Sequence, residues 1–276
     1  MLRPRELSRD LALFAARTPT LPPATHTNSY ALGAREVLLV EPASPYDDEQ
    51  REWLAWVEGL RSAGRTPVGI LATHHHVDHI GGIEVLARET KLPLWMHVAT
   101  AARLGGCTPG RLLRDGDEII LGDARWVALH TPGHAAGHIC VYHADSGAIV
   151  LGDMVASEGT IVIATADGGD MATYLEQLRR LEALAPKLGL PAHGEPIDDP
   201  CATFRRYLAH RQAREAKVIA ALRASPRATV EALVPSAYAD TPAEVWPIAA
   251  LSLEAHLAKL VAEGAAAEAG GHYWMK

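Results

Sequence analysis

The chain has 276 residues, 48% of them hydrophobic, which is room for one large domain or a domain and a half with a sizeable core. Its formal net charge is −7, spread as −9 over residues 1–200 and +2 over residues 201–276, so neither part reads as a general nucleic-acid binder.

The first segment, MLRPRELSRDLALF, has charges among its apolar residues and lacks the apolar core and cleavage site of a secretory signal. Its Glu6 and Asp10 argue against a mitochondrial leader. Residues 29–40, SYALGAREVLLV, read as two strands about a turn at Gly33 and Ala34. The run Val37 to Val40 is continuous and apolar, as in a strand buried on both faces. His26 precedes it and is open to two readings, a structural loop residue or a neighbour of the pocket. After the loop EPASPYDDE, residues 49–63 place Trp53, Trp56, Val57 and Leu60 on one helical face, with the tryptophans as core and Gly64 as the stop.

Residues 73–82, THHHVDHIGG, follow the apolar run VGILA and precede IEVLARE. The pattern is strand, loop, helix, so the loop lies at the C-terminal end of a strand, where open α/β layers place their chemistry. His74 and His76 are two apart and point the same way in an extended loop. Asp78 and His79 turn into the helix start and can face a second ion. Imidazole nitrogen and carboxylate oxygen suit zinc and its borderline neighbours. His75 alternates away and reads as solvent-facing or supporting.

LPLWMH (92–97) reads as a strand and residues 98–116 as irregular. DEIILGDARWVALHTPGH (117–134) reads as a hairpin joined at Gly122 and Asp123. Pro132 and Gly133 bend the chain straight after its second strand and aim His134, which is assigned to the metal. His138 opens the strand ICVYH and reads as a supporting or strand-end residue. GAIVLGDMV ends a buried strand at Gly152 and Asp153. That carboxylate is placed to bridge two ions, the plain alternative being an Asp that closes a turn. SEGTIVIATADGGDM reads as loop, strand, loop, and Asp170 caps a helix with Tyr174, Leu175, Leu178 and Leu181 inward. His193, again at a strand end beside glycine, is the fifth histidine candidate.

From about Pro200 the pattern becomes helical. A long helix ends at Pro226, and its Arg205, Arg206, Arg211, Arg214 and Lys217 read as a solvated face. Two more helices, the second after Pro247, and a hairpin about Gly270 and Gly271 complete a winged-helix-like arrangement. The expected division is therefore 1–200 and 201–276. No run reads as long enough to span a membrane. Cys107, Cys140 and Cys201 are odd in number and form no C-x-x-C pair, so no disulfide framework is expected and a cytoplasmic location is the default.

With HHHVDH, TPGHAAGH, LGD and PAHG in this order, the chain resembles the metallo-β-lactamase fold superfamily. The resemblance covers nearly all of residues 25–200. It implies an α/β fold, an αββα sandwich, followed by the winged-helix-like domain. By the same resemblance His74, His76 and His134 hold a first metal and Asp78, His79 and His193 a second, with Asp153 between them. The spacing is similar to the glyoxalase II and ribonuclease-type branches. The C-terminal part resembles the branch that contains lactamase-β-like endoribonucleases and winged-helix-bearing hydrolases of bacteria and fungi, some of them thioesterases. The glutathione-binding helices of glyoxalase II are replaced here by the winged-helix part.

The function expected is a dinuclear metal-dependent hydrolase of an ester, thioester or lactone. A metal-bridging hydroxide would act as nucleophile, and Asp78 would orient it and shuttle a proton. Two ions are expected, zinc first, with manganese or iron as alternatives. Other readings are an endoribonuclease acting on single-stranded RNA, or a non-enzymatic winged-helix binding protein. The partners expected are a small-molecule ester or thioester, with RNA open. No sequence-specific DNA and no membrane are expected. Residues 201–276 would shape the pocket rim or make a homodimer contact.

Overall fold

A computed structural model of the chain describes residues 3–276. It divides into two units. The first comprises Met1–Thr131, Ala136–Gly159 and Ala185–Pro200, and the second Pro132–Ala135, Thr160–Leu184 and Cys201–Lys276. A change of unit falls at 200/201, but the second unit also takes in the segment that holds the Asp170-capped helix.

In the first unit the apolar runs pair into two sheets. The larger has seven strands in the order of the chain: β1 (Arg5–Ser8), β2 (Leu11–Arg17), β3 (His26–Leu32), β4 (Glu36–Val40), β5 (Thr66–Leu71), β6 (Leu94–His97) and β7 (Arg111–Leu113). Pairing is antiparallel up to β4 and parallel from β4 to β7. The parallel steps need crossovers, which α1 (Asp47–Ser62), α2 (Val77–Ile80), α3 (Ile83–Thr90) and α4 (Val98–Ala101) supply. The smaller sheet runs β12-β11-β10-β9-β8, formed by β8 (Glu118–Leu121), β9 (Ala124–His130), β10 (Ile139–His143), β11 (Ala148–Gly152) and β12 (Leu188–Pro191).

Two apolar layers hold this unit together. Leu32, Leu38, Val40 and Leu71 of the larger sheet pack with Trp126, Ile139, Val150 and Leu190 of the smaller. On the other face of the larger sheet, Phe14, Leu39 and Ile70 pack with Trp53, Trp56 and Leu86 from α1 and α3. β4 and β5 are buried on both faces, which is why they read as continuous apolar runs.

The second unit contains α5 (Met171–Ala183), α6 (Pro200–Ala224), α7 (Val230–Ala237), α8 (Trp246–Ala262) and the hairpin β13 (Ala266–Ala269) and β14 (His272–Met275). Val218, Leu222, Leu233, Leu253, Leu257 and Leu260 form its core. Ala228 makes an isolated antiparallel bridge to Tyr273 of the hairpin.

Several expectations are corrected. Residues 5–17, to which the sequence pattern assigned nothing, form β1 and β2, and residues 98–116 carry α4 and β7. The stretch IVIA forms no strand, although Ile161 and Ile163 are buried. Side chains of its own unit satisfy its backbone in place of a ladder: Arg211 donates to Ile161 O, and Ser252 Oγ accepts from Ile163 N. The basic strip on α6 is not one solvated face. Phe204, Tyr207, Arg211, Arg214 and Val218 share the buried stripe, at alternating steps of three and four. Arg214 is held by Asp240 at 2.8 Å and lies over the Tyr238 ring.

The reading that no run is long enough for a membrane is also corrected. Among the described residues one helix, Ala243–Ala262, is long and apolar enough by composition to cross one. Its Ala249, Leu253, Leu257 and Leu260 are buried in the core of its own unit, while Val245 and Leu251 are exposed.

Candidate metal centre

Strand ends gather the chemistry of the first unit. Glu41 directly follows β4, Thr73 and His74 lie just past β5, Asp153 directly follows β11 and His193 lies two residues past β12, and the short helix α2 carries Asp78 and His79. Ile139 N donates to Thr73 O at 2.9 Å, which ties the end of β5 to the start of β10 in the other sheet. Ala192, next to His193, donates to Gly152 O at 3.1 Å and accepts from Asn28 N at 2.7 Å.

Six of the seven expected ligands lie in this unit. Asp78, His79 and His193 offer one ligand atom each, all within 4.8 Å of one another, and His74, His76 and Asp153 do the same. His193 Nε2 is 3.3 Å from Asp153 Oδ1 and 3.5 Å from Asp78 Oδ2. His79 Nε2 is 3.5 Å from Asp153 Oδ1 and 3.8 Å from Asp78 Oδ1. His74 Nε2 faces His76 Nδ1 at 2.9 Å.

These spacings fit metal ions. Two ligand atoms, each about 2.0–2.1 Å from a tetrahedral ion, lie about 3.3 Å apart. The imidazole–carboxylate distances match that edge and are too long for good charge-assisted hydrogen bonds. His79 Nε2 is moreover buried with no hydrogen-bond partner among the described residues. A buried polar nitrogen of that kind calls for a ligand. The donor set, imidazole and carboxylate, is that of zinc, manganese and iron sites.

The far edges of the rings are held. His79 Nδ1 contacts Glu41 Oε1 at 3.0 Å, His74 Nδ1 contacts Thr73 Oγ1 at 3.0 Å, and His193 Nδ1 contacts His26 O at 3.0 Å. Each contact fixes a ring and leaves its other nitrogen to point inward. His138 acts one step back. Its Nε2 accepts from Asp153 N at 3.0 Å, so its Nδ1 carries the proton and donates to Thr131 Oγ1 at 2.8 Å. Gly152 has φ +48°, and a Cβ there would lie 2.5 Å from His138 Nε2. The strand end thus admits only glycine beside the Asp153 carboxylate.

Electrostatics couples the acids to the rings. Burial opposes protonation of His79, but the carboxylates of Asp153, Asp78 and Glu41 outweigh it and hold its pKa well above the ordinary value. Burial would raise Asp153, yet His193 and His79 hold it well below the usual carboxylate range. His193 is raised by Asp153 against its burial. A divalent cation amid these groups takes over the role of the ring protons, and the histidines become neutral ligands.

His134, the seventh expected ligand, belongs to the short segment Pro132–Ala135 of the second unit. It is buried, and its Nδ1 contacts Val162 O at 2.9 Å. Gly133, at φ +125°, packs so tightly on Tyr174 that a Cβ would lie 2.4 Å from its backbone. Asp170 N donates to Gly133 O at 2.8 Å while its carboxylate caps α5 through Thr173 N at 2.7 Å.

Glu41 escaped the sequence reading, which placed it in a polar loop. It is buried, binds both Thr73 and His79, and holds φ at 60°, a left-handed conformation rare for a side chain of this size. The available signal was its position: a carboxylate directly after the buried run VLLV, the same arrangement that singled out Asp153 after AIVLG.

Comparison with known proteins agrees with this geometry. The family model of the metallo-beta-lactamase superfamily matches residues 22–193, and that of the beta-lactamase associated winged helix domain matches residues 229–274. The chain belongs to the metallo-beta-lactamase superfamily and carries this winged helix domain at its C-terminal end. Most members of the superfamily are metal-dependent hydrolases.

Among curated relatives, Beta-lactamase-like protein 2 homolog of Drosophila melanogaster is 28% identical over 86% of this chain and 83% of its own length. Hydroxyacylglutathione hydrolase of Rhodospirillum rubrum is 35% identical over 63% of this chain and 66% of its own. A solved metallo-beta-lactamase family protein from Thermus thermophilus shares the fold with a TM-score of 0.80 at 24% identity, covering 98% of this chain and 100% of its own. Another solved chain, in a di-iron-bound form, has a TM-score of 0.53 at 27% identity, over 69% of this chain and 97% of its own.

Proposed function

We propose that the protein is a dinuclear metal-dependent hydrolase of an ester, thioester or lactone. The observation that carries this reading is the interleaving of imidazole nitrogens and carboxylate oxygens at 3.3–3.8 Å, with the far edge of His74, His79 and His193 each held. His74, His76 and His134 are assigned to one ion, Asp78, His79 and His193 to the other, and Asp153 to both. The assignment of His134 rests on the family match, which runs through it. When bound, the two ions lower the pKa of water toward neutrality and polarise a carbonyl.

The chain's own residues do the rest. Burial of His74, His79 and Asp153 excludes bulk water from the reacting side. The Asp78 side chain, at 14% exposure, reaches both the site and solvent, which suits it to orient water and pass a proton outward. No serine or cysteine nucleophile is required.

Zinc is the first choice of metal, and the di-iron form of a structural neighbour keeps iron in view, with manganese behind it. The name of the Rhodospirillum rubrum relative supports a thioester among the substrates. RNA is the alternative substrate, disfavoured by the charge of −9 over residues 1–200. A non-enzymatic winged-helix binder is the third reading, and the intact ligand set weighs against it.

The C-terminal domain is assigned a homodimer contact in preference to sequence-specific DNA or a membrane. Its basic helix hides Arg211 and Arg214, which weighs against DNA, while Leu251 of α8 stays exposed for a contact with a second copy. The wide spacing and odd number of Cys107, Cys140 and Cys201, with no C-x-x-C pair, support a cytoplasmic setting.

The test is a panel of thioesters, esters, lactones, β-lactams and single-stranded RNA with metal-replete protein. Metal-dependent turnover of the acyl substrates is expected. Cleavage of RNA alone would replace this reading with the nuclease.

A further inference from the structure

A cavity of about 130 Å³ opens beside His193, lined by Pro23, Thr25, His26, Asn28 and Glu158 among others. It is a built feature of the first unit. Asn28 is 2% exposed, and its Nδ2 donates to Pro191 O at 3.0 Å and Gly194 O at 2.8 Å, which fixes the floor under His193. The His26 ring is held by Thr25 Oγ1 at 2.7 Å. The loop that carries Glu158 packs on Pro23, since a Cβ on Gly159 would lie 3.3 Å from the proline ring.

The lining has one formal charge. Glu158 is acidic and exposed, it makes no ion pair among the described residues, and no lysine or arginine lines the cavity. A substrate arm that enters beside His193 therefore meets a carboxylate with nothing to neutralise it.

We propose that this cavity receives the arm of the substrate next to the reacting carbonyl, and that Glu158 sets its charge preference. An arm that ends in an ammonium group is favoured over a neutral one, and a neutral one over a carboxylate. The proposal rests on the hydrolase reading above for its link to turnover. The ions would add a positive field that works against an ammonium arm and for a carboxylate one, but a variant at Glu158 leaves it unchanged, so the change between parent and variant reports Glu158 alone.

The experiment uses metal-loaded full-length protein and three p-nitrophenyl esters with one leaving group: β-alanyl, butyryl and hydrogen succinyl. kcat/KM is expected to fall in that order, with about tenfold between the two charged esters, the scale of one partly exposed ion pair made and one like-charge contact avoided. Glu158→Gln is expected to lower the β-alanyl-to-succinyl ratio of kcat/KM about tenfold. A preference for the succinyl ester, or a spread untouched by the variant, would overturn the proposal.

A second arm does not depend on turnover. Backbone amide signals of Thr25, His26 and Gly194 are followed while β-alaninamide or succinamate is added. Shifts with β-alaninamide that vanish in Glu158→Gln support the subsite. Shifts with succinamate alone, or with neither, overturn it. Shifts with β-alaninamide but no hydrolysis of any ester would remove the hydrolase reading and leave the subsite standing.

Discussion

Both units gather charged side chains, but they close them differently. In the C-terminal unit, Arg214 and Lys217 meet Asp240 at 2.8 and 2.7 Å, and Lys259 meets Glu215 at 2.9 Å. Those are full ion-pair distances, with the charges spent on one another. At the strand ends of the first unit the rings face the carboxylates of Asp78 and Asp153 at 3.3–3.8 Å, with His79, His74 and His193 held from behind by Glu41, Thr73 and the carbonyl of His26. A fold that fixes opposite charges just short of contact has left room for something between them. Distance alone does not separate the two, since His256 and Glu215 of the C-terminal unit also stand 3.3 Å apart; at the strand ends several rings converge on the carboxylates of Asp78 and Asp153.

That contrast is broken most severely at Asp153. Asp153→Ala is expected to lower turnover at least about a hundredfold, with the melting temperature of metal-free protein changed little. The strand before it supplies the core, and only its carboxylate reaches the ions. Near-normal turnover would show that it closes a turn and nothing else.

Metal content is the next test. Elemental analysis of loaded protein is expected to give about two equivalents per chain, and stripping them to lower the melting temperature by several degrees. Hydrogen exchange should show the loss around β5, β11 and β12, with the C-terminal core unmoved. One equivalent with full activity would sink the two-ion scheme.

Glu41→Gln sharpens the comparison, because it removes a supporting charge and no ligand. Metal affinity, read by chelator competition, is expected to fall about 10- to 100-fold. An unchanged affinity would assign Glu41 to backbone structure alone.

The smallest effect concerns the C-terminal unit. Burial, with Arg211 and Arg214 nearby, pushes the His210 pKa down from 6.5 to about 4. Between those values the unfolded chain takes up a proton that the folded chain refuses, so stability is lost as pH falls from 6.5 toward 4. The ring is partly exposed, and the expected loss is about 1 kcal/mol. Calorimetry from pH 7 to 4.5 should show a flatter pH dependence in His210→Gln than in the parent protein, with metal binding unaltered.

Legibility in the sequence followed locality. β5, the histidine loop and α3 are contiguous, and the β8–β9 hairpin, β10, β11 and the hairpin β13–β14 announce themselves by period and turn residues. Asp170 is seen as a cap because its partner is three residues away. Glu41 was hidden because its partners, Thr73 and His79, lie across a crossover. Arg211 and Arg214 were misread because charge masks a buried stripe until Asp240, Tyr238 and Ile161 are known to face it. IVIA was taken for a strand because apolarity does not reveal whether a neighbour offers a ladder or side chains.

Asn28 has one more consequence, in the order of assembly. Its side chain closes on carbonyls 163 and 166 residues further along. His193 is thus seated by a contact that spans most of the first unit. Closing so long a loop is slow, and it can happen only after everything up to Gly194 has been synthesised. During synthesis the histidine loop emerges early and waits, with half of its partners absent. The site proposed for the second ion would then be among the last parts of the unit to form, so metal arrival would report completion of the fold and not nucleate it.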